Sequence, residues 1–224
     1  HLLSTFNDKG LYGIEIFEKV MEPLLTAKNL SPKITLLEYY QYNNIELHIF
    51  TSNLNSNIPE SIDMSYKTHP ELVLVKAIYM SASFPFLFKP IFDKGNCFID
   101  GGLLNNYPLH NCIENIKSNN NGIVNKDEIV ALKKTCSNYT MDINEKMNVI
   151  EYGVELFRKM HIAVLKENDD NNHDIKYTIE CVVSSETGLE SWWNIFVTED
   201  GRKEVISDGE KIGDAFIAKH SKTA

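Results

Sequence analysis

The chain has 224 residues, 43% of them hydrophobic, enough to bury a substantial core within one domain or most of one. Its 31 acidic against 22 basic residues give a formal net charge of −9, which argues against a nucleic-acid partner and weakens electrostatic docking to anionic membranes. Cys97, Cys112, Cys136 and Cys181 are widely spaced with no Cys-x-x-Cys pair, so neither a zinc site nor a dense disulfide framework is indicated, and reduced thiols in a cytoplasmic protein are the expectation.

Apolar residues at Leu11, Ile14, Phe17, Met21, Leu24 and Leu25 form the stripe of an amphipathic helix from Leu11 to about Ala27, with Pro23 a point of kinking. Thr35, followed three residues later by Glu38, is a capping-box pattern that opens a short helix through about Tyr42. Ile45, Leu47 and Ile49 alternate with Glu46 and His48 and predict a strand. Residues 71–83 read as a helix, followed by the aromatic, Pro-broken loop Phe84-Pro85-Phe86-Leu87-Phe88, a strand at 97–99 and a helix from Pro108 to about Lys117. After a polar loop at 118–126, Ile129-Val130-Ala131-Leu132 reads as a buried strand. Asp142 and Glu145 can cap a helix with apolar positions Met147, Ile150, Val154, Phe157, Met160 and Val164. An acidic linker at 167–174 precedes the clean alternation Ile175, Tyr177, Ile179, Cys181, Val183, a half-buried strand, and a helix near 203–219 closes the chain. This alternation of helices and strands favours a largely parallel sheet covered on both faces. The longest apolar stretch, Leu72 to Phe88, is broken by Lys76, serines and Pro85 and fails as a membrane span, and His1-Leu2-Leu3 is no signal peptide.

The chemistry concentrates at Asp100-Gly101-Gly102, which follows Cys97-Phe98-Ile99 and runs into Asn105-Asn106-Tyr107-Pro108. A carboxylate at a strand end, followed by glycines that let the backbone turn sharply and lie close to a substrate, is a candidate general base. The same residues also read as an ordinary Asp-Gly turn with Pro108 opening the next helix. An exposed Asp, with a reference pKa of about 3.9, is a poor base at neutral pH, so burial would have to raise it; Phe84, Phe86, Phe88 and Phe98 are the apolar surround on offer. Phe84, Phe86 and Phe88 are also candidates to line an acyl pocket or touch lipid, against plain core packing as the simpler reading. The histidines show no His-x-x-x-His pair and read as structural, so no metal ligand set is assigned. Trp192-Trp193 reads either as an interface anchor or as ordinary packing.

Residues 77–108 resemble the patatin-like phospholipase family: Ser81-Ala82-Ser83 at a helix end, the Phe84-Pro85-Phe86-Leu87-Phe88 loop, the short strand, Asp100-Gly101-Gly102 and Asn106-Tyr107-Pro108 follow in family order. Further family-like segments are Lys9-Gly10-Leu11-Tyr12, Ile49-Phe50-Thr51-Ser52-Asn53-Leu54-Asn55, and the tail around Arg202, Val205-Ile206 and Gly209. The resemblance is strong over 9–110 and looser over 111–224, so that 1–224 is expected to be the C-terminal part of one acyl hydrolase domain. It implies a three-layer α/β fold with a mostly parallel sheet between helices, and a phospholipase A-type hydrolysis of lipid acyl esters by a Ser-Asp dyad without metal or cofactor. Asp100 would be the base, with Gly101 and Gly102 its motif partners, and peripheral membrane contact would follow from the lipid substrate. The family's Gly-x-Ser-x-Gly nucleophile motif is not in the chain: Gly209-Glu210-Lys211-Ile212-Gly213 has the glycine spacing with Lys at the centre. The chain is therefore read as N-terminally incomplete and inert by itself, or alternatively as a non-catalytic lipid-binding or scaffold relative that lacks the serine.

Overall fold

The computed structural model describes residues 9–136, 143–169, 175–183, 195 and 197–221. The chain divides into two compact units, residues 1–108 with 158–170, and residues 109–157 with 171–224.

The first unit begins with β1 (Gly10–Tyr12), followed by α1 (Glu15–Thr26), α2 (Leu36–Asn43), β2 (Ile49–Asn53), β3 (Glu60–Met64) and α3 (Leu74–Ala82). Then come β4 (Phe86–Phe88), β5 (Ile91–Asp93), β6 (Asn96–Asp100) and the single turn α4 (Gly102–Asn105). The helix predicted from Leu11 starts later. Tyr12 is drawn into a strand because its carbonyl accepts from Lys89 N at 2.8 Å and from the Tyr79 hydroxyl at 3.2 Å, and tertiary hydrogen bonds override the local stripe. Pro23 lies inside α1. The capping box at α2 is present in full: Thr35 Oγ1 accepts from Glu38 N at 3.2 Å, and Glu38 Oε2 accepts from Thr35 N at 2.8 Å. Asn44 closes that helix in the left-handed region, with φ of 55°. The strand expected at 45–49 is displaced to Ile49–Asn53, where pairing with β3 begins at Ile49↔Met64.

The mixed α/β class is as expected, and strand direction differs between the sheets. β1 and β4 pair in parallel, Gly10 opposite Phe86 and Tyr12 opposite Phe88. The four-stranded sheet, in the order β3-β2-β6-β5, is antiparallel at every pairing and so departs from the expected mostly parallel arrangement. Connection length explains two of the three pairings. β2 and β3 are joined by residues 54–59, and β5 and β6 by Lys94-Gly95, both at positive φ (47° and 83°), a hairpin turn that can only send the chain back antiparallel. The core gathers α1, α2, α3 and the sheet around Leu25, Ile34, Leu36, Met64, Leu74, Val75, Ala77 and Met80, with Phe17, Ile62 and Phe98 packed on it. Burial of this cluster is the main favourable term for the unit.

The second unit comprises α5 (Leu109–Asn119), a 3-10 turn at Lys126–Glu128, β7 (Val130–Cys136), the first part of α6 (Val149–Asp169), β8 (Tyr177–Val183) and α7 (Glu199–His220). β7 and β8 pair in parallel from Val130↔Tyr177 to Cys136↔Val183. β7 was expected to be buried on both faces. Instead Ala131 is buried while Val130 and Leu132 are 60% and 66% exposed, the alternation of a strand covered on one side. α6 is capped by Asn148, not by the expected Glu145: Asn148 Oδ1 accepts from Glu151 N at 3.0 Å, and Glu151 Oε2 accepts from Asn148 N at 2.9 Å. Asp142, Trp192 and Trp193 lie outside the described residues. Tyr177 of β8 meets Phe216 and His220 of α7 with ring centroids 6.5 and 5.1 Å apart. No described helix is long and apolar enough to cross a membrane.

Candidate active site

Asp100 is the last residue of β6, half-buried, directly across the antiparallel ladder from Thr51. Its backbone is fixed from two sides. Asp100 N donates to Ser83 O at 3.1 Å and Gly101 N donates to Ser81 O at 3.2 Å, which joins the strand end to the C-terminus of α3. From β2, Thr51 Oγ1 donates within reach of Ile99 O (2.8 Å) and Met80 O (3.2 Å), and Ser52 Oγ donates to Asp100 O at 2.9 Å. Ser83 Oγ completes the set by donating to Met80 O at 3.0 Å. Thr51, Ser52 and Ser83 are wholly buried, so these hydroxyls have no water to fall back on and their hydrogen bonds hold the carbonyls in place.

The side chain is held as well. Asp100 Oδ1 accepts from Gly102 N at 2.6 Å, a short charge-assisted bond closed within the turn. Gly101 cannot carry a side chain as the backbone stands, and one on Gly102 would displace neighbouring side-chain ends. A Cβ on Gly101 would lie 2.1 Å from Phe50 O, and one on Gly102 would lie 2.7 Å from Asn106 Oδ1 and 3.0 Å from Asp100 Oδ1. The Asp-Gly-Gly run is therefore an enforced close approach of β6, β2 and the first turn of α4, beyond what a plain strand-ending turn needs. The Gly102 carbonyl is met by His161 Nε2 at 3.0 Å.

The aromatic candidates separate. Phe88 packs edge-on against Phe17 (centroids 5.4 Å) and Tyr79 (6.1 Å), with Tyr12 at 6.3 Å, so its ring belongs to a packed cluster. Tyr79 at its centre is wholly buried; burial, with the Glu15 charge adding, pushes its pKa up to about 12, and its hydroxyl donates to Lys89 O at 2.6 Å. Phe84 is 40% exposed and Phe86, at φ of 70°, is 62% exposed. A small cleft of about 200 Å³ on the same unit is lined by Ile62, Met64, Leu72, Met80 and Phe98, with Lys76 and Asp93 at its edge; none of Phe84, Phe86 and Phe88 lines it. Cys97, three residues before Asp100, is a poor alternative nucleophile, because burial pushes its thiol up and keeps it protonated.

His48 takes a structural place. Both ring nitrogens of His48 face carboxylates, Nδ1 to Asp63 at 2.8 Å and Nε2 to Glu46 at 3.1 Å, and Lys67 Nζ reaches Glu46 at 2.7 Å. Burial pushes the Glu46 carboxyl up, but the hydrogen bonds and charges of Lys67 and His48 outweigh it and leave the group below its ordinary value. Among the described residues no group of three or more His, Cys, Asp or Glu side chains is arranged to hold a metal ion. Sequence reasoning placed Asp100, Gly101 and Gly102 together and missed the support given by Thr51, Ser52 and Ser83. The signal for the first two was a Thr-Ser pair inside a strand. For His161 there was none.

The patatin-like phospholipase model matches residues 1–113, a span that holds the whole run from β1 to the Asp100 turn. The chain is also similar to a probable lipid hydrolase of Invertebrate iridescent virus 6, with 29% identity over 168 residues, 75% of this chain and 54% of that protein. An uncharacterized protein of Acanthamoeba polyphaga mimivirus is 27% identical over 100 residues, 45% of this chain and 32% of that protein. The chain thus spans about half the length of the first of these curated relatives and about a third of the second. No solved structure matches it. The family match takes in 113 of 224 residues, half of the chain, and covers the strand end that the buried hydroxyls hold in place. On that match, the chain belongs to the patatin-like phospholipase family.

Proposed function

We propose that the chain supplies the aspartate of a Ser-Asp dyad in a phospholipase A-type acyl hydrolase, with 1–224 the C-terminal part of its catalytic domain. The observation that carries this reading is the Asp100 carboxylate, held half-buried at the end of β6 by the Gly102 N–H and by a backbone clamped through Thr51, Ser52 and Ser83. Orientation at fixed distance is what a base must have before its proton affinity matters. In the dyad step the serine hydroxyl oxygen adds to the ester carbonyl while its proton passes to Asp100. Collapse of the tetrahedral intermediate breaks the C–O bond to the alcohol, which takes that proton as it leaves. Water then repeats the sequence on the acyl-enzyme, releasing the fatty acid and restoring the serine. Without a Gly-x-Ser-x-Gly in its sequence the chain is inert to esters by this route when taken alone. The substrate is a phospholipid or another acyl lipid, met at a membrane surface from the cytoplasmic side, and the exposed Phe84 and Phe86 are suited to touch it.

The test is hydrolysis of a panel of phospholipids and neutral acyl lipids by the complete protein, with labelling by a serine-reactive fluorophosphonate. Asp100→Asn, which keeps the shape and removes the base, is expected to lower hydrolysis at least about a thousandfold by loss of the proton acceptor. Hydrolysis unchanged in Asp100→Asn would remove Asp100 from the mechanism, and absence of both hydrolysis and a labelled serine would leave the non-catalytic lipid-binding reading in its place.

A further inference from the structure

We propose that His161 is a positioning residue for Asp100 and acts through Gly102. The inference rests on the reading of Asp100 as the base. Gly102 is the joint between two peptide groups. The one on its N-terminal side gives its N–H to Asp100 Oδ1 at 2.6 Å, and the one on its C-terminal side offers its carbonyl to His161 Nε2 at 3.0 Å. A displacement of Gly102 as a unit that carries its N–H away from the carboxylate also carries its carbonyl away from the imidazole.

Three observations make this tie necessary. A Cβ on Gly102 would lie 2.7 Å from Asn106 Oδ1 and 3.0 Å from Asp100 Oδ1, both side-chain ends, so a side chain there would displace the carboxylate itself. The helix that starts there is only Gly102–Asn105, a single turn too short to hold its first peptide by its own hydrogen bonds. Gly101 just before it is fixed by Phe50 O and Ser81 O, whereas Gly102 depends on contacts further along. His161 reaches it from α6, 59 residues away in sequence, within the same compact unit. Facing a carbonyl, which can only accept, Nε2 is the donor of this bond.

The complete protein is tested with a soluble short-chain p-nitrophenyl ester, comparing Asp100→Asn, His161→Met, which keeps the bulk without a donor, and His161→Gln, which returns an N–H near the same place. His161→Met is expected to lower kcat about tenfold or more through misplacement of the base, with KM and Tm nearly unchanged. His161→Gln is expected to recover most of the loss. Wild-type kcat in His161→Met, with Asp100→Asn inactive, overturns the role of His161 alone. Equal losses of kcat and Tm in both histidine variants overturn it too, by showing a purely structural contact. Wild-type hydrolysis in Asp100→Asn instead sinks the reading of Asp100 on which the inference stands.

Discussion

The glycines of the two units are under opposite constraints. In the first unit Gly10 and Gly101 lie against backbone: a Cβ would meet the Phe88 carbonyl carbon at 2.4 Å and Phe50 O at 2.1 Å. In the second, Gly153, Gly209 and Gly213 sit within helices and a Cβ would meet nothing within 4 Å. The first pair specifies structure, because only the missing side chain lets β1 lie on β4 and the Asp100 turn lie on β2. The others bring only the entropic cost of glycine in a helix. Only where backbone is pressed against backbone, as at Gly10 and Gly101, does the glycine specify the structure.

The largest expected effect follows directly. Gly101→Ala must push β2 and the turn apart, and is expected to destabilise the first unit by about 3 kcal/mol or more, as overpacking against unyielding backbone does. Thermal or urea unfolding measures it, and a variant as stable as the parent would show that the turn has room it lacks in the structure. The same clash pulls Asp100 out of place, so in the complete protein hydrolysis should fall even below the unfolding temperature.

The opposite change belongs to the second unit. Gly209→Ala, in open space on α7, is expected to stabilise that helix by about 1 kcal/mol, the difference in helix propensity between the two residues. A rise in helical circular dichroism and in the unfolding midpoint would register it. A loss of stability would mean that the open face of α7 at Gly209 is covered when the protein folds in solution.

The same division decided what could be read from sequence. The α2 capping box was legible because Thr35 and Glu38 act within one turn, and the α7 and β8 patterns because their periodicity is local. Asp100, Gly101 and Gly102 were legible from a motif whose spacing is short. The strand directions were not: β3, β4 and β5 run only five, three and three residues, too few for period to speak, and two of the three antiparallel pairings are set by short connections. Leu11 was misplaced on a helix because its neighbour Tyr12 is claimed by Tyr79 and Lys89, residues far along the chain. The supports of the site were hidden for the same reason. Thr51, Ser52 and His161 act on carbonyls brought to them by pairing and packing, and a hydroxyl or an imidazole carries no sequence signature of a partner 48 or 59 residues away.

The smallest expected effect contrasts the ion pairs of the two units. Glu46 is 24% exposed between His48 and Lys67, whereas Glu199 with Lys203 and Asp208 with Lys211 are more than half exposed on α7. Exposed helix pairs are screened and contribute little, so Glu199→Gln should leave stability within a few tenths of a kcal/mol. Glu46→Gln should cost more, though still under about 1 kcal/mol for a group near the surface. The pH dependence gives the sign. Glu46 in the folded protein is held below its ordinary value of 4.5, so the unfolded chain binds its proton first as pH falls. Its contribution is present above that ordinary value and is lost as pH drops through the lower folded value. The stability gap between the parent and Glu46→Gln is therefore expected at pH 6 and should close below pH 4.5. A gap that widened toward acid would reverse the assignment, since it would require Glu46 to be held above its ordinary value by burial rather than below it by Lys67 and His48.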